Sequence, residues 1–193
     1  MDALLGVSAG DWWRLLRENH FAVSPRYYGR ALVVGVLSLR TSFFARTERK
    51  LYESTVQNVN VKPPVFVLGH WRNGTTLLHN LLSLDSQFAF PNLYQITHPH
   101  TCLINESYAV RALSGVASHK RPMDNMEIAF DSPGEDEGAM AVMSLRSPLI
   151  AWSFPRREEH YDRYLTFRGV PKEEVEEWKK SFLVFLKKLT WRY

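Results

Sequence analysis

Gly69, Arg72, Gly74, Thr75 and Thr76 are the residues of this chain whose types and spacing suit chemistry. They stand in the octapeptide Gly69-His70-Trp71-Arg72-Asn73-Gly74-Thr75-Thr76. An apolar run, Val65, Phe66, Val67 and Leu68, comes before it, and the apolar Leu77, Leu78, Leu81 and Leu82 follow. That succession predicts a buried strand, a tight glycine-bounded loop, and a helix opening at Gly74 or Thr75. Such a unit aims backbone N–H groups and a helix N-terminus at a phosphate. The spacing G-x-x-x-x-G-T-T is that of a nucleotide phosphate loop, with Thr75 where the ATP and GTP loops need lysine. A cation stands earlier instead, at Arg72. The pattern suits a different phosphate ester.

The elements around the loop read mostly as helices. Asp11, Trp12, Trp13, Arg14, Leu15 and Leu16 suggest a short amphipathic helix with Asp11 as a candidate cap. Ser24-Pro25 has the form of an N-cap followed by proline in the first turn. The helix it opens runs into the Phe43-Phe44 region and continues through the charged residues 46–53. Asn58, Lys62, Pro63 and Pro64 then deliver the chain into the strand. A second short strand is expected at residues 93–96, and a helix at about 102–115. Residues 133–145 read as a helix whose first turn carries Glu135, Asp136 and Glu137, which suits the helix dipole. The last helix starts near Pro171, with Val175, Trp178, Phe182, Phe185, Leu186 and Leu189 at helical spacing. Its other face carries Lys179, Lys180, Lys187 and Lys188.

The stretch Pro64 to Leu82, containing Gly-His-Trp-Arg-Asn-Gly-Thr-Thr-Leu-Leu, resembles the 5′-phosphosulfate-binding loop of the sulfotransferases. Asn73 stands where serine is more usual. Asp131-Ser-Pro-Gly-Glu-Asp-Glu-Gly is similar to the P-x-E-D-E segment of a bacterial branch of that family. The resemblance covers roughly residues 12–193. It implies an α/β fold, the three-layer sulfotransferase arrangement related to the P-loop NTPases. It also implies 3′-phosphoadenosine 5′-phosphosulfate (PAPS) as donor, with no metal. In that reading Arg72 holds the sulfuryl or bridging oxygens. Gly69, His70, Trp71, Asn73, Gly74, Thr75 and Thr76 surround the 5′-phosphate, and Trp71 acts as a steric wall. A base must take the proton of the acceptor hydroxyl or amine. The family uses either histidine or glutamate, so the candidates are Glu135, Glu137, His98 and His100.

Set against that fold, the strands are few. One is expected with clarity and a second weakly, whereas a doubly wound sheet needs several. The family's 3′-phosphate segment has only a near-echo, Arg146 to Ser153. The expectation is therefore a helical region at 1–60 and the N-terminal part of a sulfotransferase domain at 61–193. The 3′-phosphate site and further strands would lie beyond Tyr193, and the fragment would be inactive alone.

With 193 residues, 45% hydrophobic and 23% charged, the chain suits one globular domain. A formal charge of +4 fits an anionic ligand. Cys102 is the single cysteine, which excludes an intrachain disulfide and a cysteine metal site. The N-terminus lacks secretory signal character. The longest apolar run, residues 31–39, is shorter than the roughly 20 residues a bilayer span takes, yet it suits a membrane surface. The expected setting is cytoplasmic or peripheral at a membrane. The acceptor would be a small molecule, lipid or glycan, with no nucleic-acid partner. Two rival readings are a P-loop kinase or NTPase, and a non-catalytic membrane-surface or partner-binding remnant.

Overall fold

The computed structural model describes residues 4–70, 73–113, 119–120 and 127–193. Helix α1 (Ala9–Glu18) lies against the thirty-residue α2 (Tyr28–Gln57), which a short 3-10 turn at Pro25–Tyr27 introduces. The phosphate-loop helix is α3 (Thr75–Leu82), followed by α4 (Leu93–Thr97) and α5 (Cys102–Leu113). A two-stranded antiparallel ribbon, β1 (His119–Lys120) with β2 (Glu127–Ile128), is the only sheet among the described residues. Then come α6 (Asp136–Met143), a run of 3-10 turns around α7 (Glu158–Asp162), and α8 (Lys172–Arg192).

Helix α6 organises the interior. Ala139, Met140, Ala141 and Val142 are apolar in every direction, and a helix of that kind is buried all round. Ala141 joins a core with Leu15, Val34, Leu145, Ile150 and Tyr161. Ala139 and Met140 join a second with Ile96 and Phe185. The apolar face of α8 supplies this second core as its spacing predicts, with Trp178 stacked on Phe182 at 5.1 Å. Because α6 is fixed by both cores, the acidic turn at its start is fixed too.

Several local expectations change. Ser8, not Asp11, caps α1: its hydroxyl accepts from the Asp11 N–H at 3.1 Å and donates to the Asp11 carboxylate at 2.7 Å. Lys188, expected on a solvated face, is turned inward onto Glu48 and the Pro99 carbonyl. Glu48, 2% exposed, also accepts from the Leu103 N–H at 2.8 Å, so a carboxylate of α2 caps α5.

The expected strand at residues 65–68 is extended chain without a ladder partner, and Val65, Phe66 and Leu68 are exposed. An apolar strand of this type becomes buried only when neighbours pair with it and helices cover it. Phe66 stacks on Phe182 of α8 at 6.2 Å. The second expected strand is helix α4. Asn92 accepts from the Gln95 N–H at 2.8 Å while the Gln95 side chain accepts from the Asn92 N–H at 3.0 Å. This reciprocal capping box fixes a helix start and overrides the β-favouring Tyr94 and Ile96. The described part is thus helix-rich, and the three-layer sheet of the expected α/β fold is not among the described residues.

Candidate active site

The loop takes its shape from local contacts. The Asn73 N–H donates to the His70 carbonyl at 3.3 Å, closing a turn. A Cβ at Gly69 would stand 2.5 Å from the Thr75 methyl, so the chain ends of the loop approach only because position 69 has no side chain. Gly74 has φ of 80°, a left-handed conformation that glycine adopts without steric cost. Helix α3 begins directly after it, and the Leu78 N–H donates to the Gly74 carbonyl at 3.0 Å. No side chain caps this helix start. The first-turn amides, which have no intrahelical acceptor, therefore open toward solvent where an anion can meet them. Asn73 is exposed and Thr75 and Thr76 are half-buried. Trp71 and Arg72 lie outside the described residues.

His79 lies one turn into α3, on the same side as Thr75 and Thr76 by helical spacing. Its ring meets Phe90 edge-on at 6.3 Å. Burial holds the Asp136 carboxyl above its ordinary pKa, with backbone hydrogen bonds and, more weakly, His79 pulling it back. Asp136 lies in the first turn of α6. Within that turn Glu135 is the exposed N-cap. Glu137 is half-buried, its pKa raised chiefly by burial and lowered in part by a hydrogen bond from Ser147. Asp136 is the residue that the sequence reading passed over, although its neighbours on either side were both singled out.

The two candidate histidines sit among other elements. His98 stacks flat on Tyr94 at 4.8 Å, with Nδ1 3.0 Å from the Thr97 hydroxyl. Burial, then Arg40, pushes its pKa down to about 4. Nε2 of His100 is 3.9 Å from Asp11. Burial, then Lys188, lowers its pKa to about 4, against the pull of Asp11. Both rings are held neutral, and these partners belong to α1, α2, α4 and α8 rather than to residues 69–76.

Arg146, first residue of the near-echo of a 3′-phosphate segment, is turned onto carboxylates. Glu18 lies 3.9 Å away, Glu174 3.4 Å and Glu177 3.4 Å. Ser153 merely ends a 3-10 turn. The guanidinium ties α1 to α8 and leaves the echo without a phosphate clamp. Among the described residues no group of three or more His, Cys, Asp or Glu side chains gathers as a metal site.

The loop, the helix behind it and the acidic turn all fall within residues 63–172, which match a family model described as "Sulfotransferase family". The chain belongs to the sulfotransferase family. It is 34% identical over 189 residues to the omega-hydroxy-beta-dihydromenaquinone-9 sulfotransferase Stf3 of Mycobacterium bovis, and equally to that of Mycobacterium tuberculosis. Those alignments cover 97% of this chain and 48% of each relative. The chain thus spans about half the length of the curated relatives it matches. No solved structure matches it.

Proposed function

We propose that this chain carries the phosphosulfate half of a PAPS-dependent sulfotransferase acting on a hydroxyl of a lipid-like acceptor. The observation that carries the reading is the loop at residues 69–76. Thr75 and Asn73 approach Gly69, the chain turns through the left-handed Gly74, and among the described residues no side chain caps the helix that follows. That cradle fits a phosphate ester in shape and in charge. Bound there, PAPS would supply a sulfuryl group already joined to a phosphate leaving group.

The chain's own residues divide the work. The amides of Asn73, Gly74 and Thr75 and the hydroxyls of Thr75 and Thr76 hold the 5′-phosphate oxygens. Arg72 neutralises charge as it builds on the bridging oxygen. The base is drawn from the acidic turn, Glu137 or Asp136, because burial raises the pKa of both carboxyls. Raised carboxyl pKa values suit a group that must accept a proton near neutral pH. Support for the lipid acceptor comes from the named acceptor of the two mycobacterial relatives. The strands that would pair with residues 65–68, and the 3′-phosphate clamp, are taken to lie in polypeptide additional to these 193 residues.

The test is a titration of the complete gene product with adenosine 3′,5′-bisphosphate and with ATP–Mg, before and after Arg72→Ala. Tight binding of the bisphosphate, weak binding of ATP–Mg, and a loss of turnover of about 100-fold in the variant are expected. Preference for ATP–Mg would replace this reading with a phosphotransferase. Binding of neither would leave a non-catalytic protein.

A further inference from the structure

The outward face of α2 is built backwards for a water-soluble helix. Its buried positions include Ser38, Thr41 and Glu48. Its exposed positions include Leu32 at 70%, Val36 at 60%, Leu39 at 65% and Phe43 at 67%. These four recur at intervals of four, three and four residues, so they form one straight stripe. Tyr28 continues the stripe at the N-terminal end, and Arg46 and Lys50 continue it at the other. From Tyr28 to Leu51 the only acidic residue is Glu48, and it is turned inward onto Lys188. An exposed apolar stripe flanked by cations, with no outward acidic residue, suits contact with a lipid surface.

The N-terminal end of α2 adds a second feature. A cavity of about 280 Å³ opens there between α1, α2 and the 3-10 turns after α6. Trp12, Val34 and Phe154 line it, with Tyr27, Trp152 and Arg156 also in its wall. Trp152 is 75% exposed. Tryptophan and tyrosine beside arginine are the side chains that settle at the level of lipid headgroups. We propose that α2 seats this protein on an anionic lipid bilayer, with the stripe entering the acyl region and the cavity receiving the end of one chain. Negative lipids are the fitting partner because the outward charges over this stretch are all positive. The inference does not depend on sulfuryl transfer.

The experiment is co-sedimentation of the complete gene product with phosphatidylcholine vesicles, with and without phosphatidylglycerol. Strong binding is expected only when the anionic lipid is present. Arg46→Gln with Lys50→Gln keeps the stripe and should lower the partition constant roughly twenty-five-fold, at about fivefold per cation. Leu32→Glu with Val36→Glu alters only exposed positions and should abolish binding, with unchanged helicity by circular dichroism. Sedimentation velocity without lipid completes the set. No vesicle binding, binding indifferent to phosphatidylglycerol, or binding untouched by either pair of substitutions would overturn the proposal. So would a dimer in the absence of lipid that Leu32→Glu with Val36→Glu dissociates, since a second copy would then be the occupant.

Discussion

Lys188→Met tests how α2, α5 and α8 are held together. Glu48 is 2% exposed, and its carboxylate accepts from Lys188 and from the Leu103 N–H. Burial is the dominant influence and raises its pKa above the ordinary 4.5, with Lys188 and two backbone amides pulling it back. Removing Lys188 leaves a buried carboxylate whose remaining partners are neutral amides. The loss should be about 3 kcal/mol at neutral pH, the lower end for a broken buried pair, because those amides remain. That is a large share of a typical folding free energy. The sign with pH follows from the raised value. The folded protein holds the Glu48 proton more readily than the unfolded chain does. The contribution to stability is therefore full below about pH 4.5 and is lost as pH rises through the folded value. In Lys188→Met the folded value rises further, so the deficit is greatest at neutral pH and shrinks on acidification. Adding Glu48→Gln removes the charge and keeps an acceptor for Leu103. The double variant should lie about 1 kcal/mol below the parent, the cost of the bond to the Pro99 carbonyl. Urea unfolding followed by far-ultraviolet circular dichroism measures all three proteins. A single variant within 1 kcal/mol of the parent by roughly the usual error, or a deficit that does not shrink in acid, would refute the reasoning.

Three shorter predictions concern the site and the interior. Gly69→Ala places a Cβ 2.5 Å from the Thr75 methyl and should weaken binding of adenosine 3′,5′-bisphosphate by about tenfold or more, with Thr75→Ser in the same chain restoring part of it. Calorimetry decides, and no effect of the alanine would remove the close approach from the account. If Glu137 is the base, the acid limb of turnover against pH should sit above the ordinary carboxylate range, since burial raises its pKa and only the ionised form accepts a proton. Glu137→Gln should erase that limb; a limb that survives in Glu137→Gln and disappears in Asp136→Asn assigns the role to Asp136. Cys102 is buried and its thiol is pushed up to about 12. Iodoacetamide should therefore label it only in denaturant, and rapid labelling of the native protein would contradict the packing at the start of α5.

What was legible in the sequence was whatever depends on neighbours along the chain. The loop is written in Gly69, Gly74 and the apolar runs around them, and α8 in its repeat of Val175, Trp178, Phe182 and Phe185. Helix α4 was misread as a strand from Tyr94 and Ile96, and its signal lay in the capping pair Asn92 and Gln95. The acidic turn was legible as the run Glu135, Asp136 and Glu137, but not its burial, which raises the pKa of Asp136 and Glu137 and depends on distant elements. The cap that Glu48 gives to α5 spans 55 positions, and nothing in the local pattern distinguishes Glu48 from the solvated charges beside it. Lys188 was misread for the same reason. Residues 65–68 show the converse: the apolar run was read correctly, but a strand is a property of its partners.

Two apolar faces therefore stay open for different physical reasons. Val65, Phe66 and Leu68, together with Leu77, Leu78 and Leu81 of α3, are exposed and carry no charge among them. A neutral apolar strand followed by a neutral apolar helix face calls for a sheet, and it lies inside the segment that the family model matches. The stripe on α2 runs directly into Arg46 and Lys50, and a sheet would bury those charges at heavy cost. Charge is what separates a face awaiting protein from one suited to lipid. The phosphate loop itself stands apart from both. Its shape rests on the Gly69–Thr75 approach and the bond between Asn73 and His70, which need no sheet. The helix behind it meets Phe90 through His79. A sheet added behind residues 65–68 would thus fix where the loop sits, while the loop's geometry is already set by its own glycines.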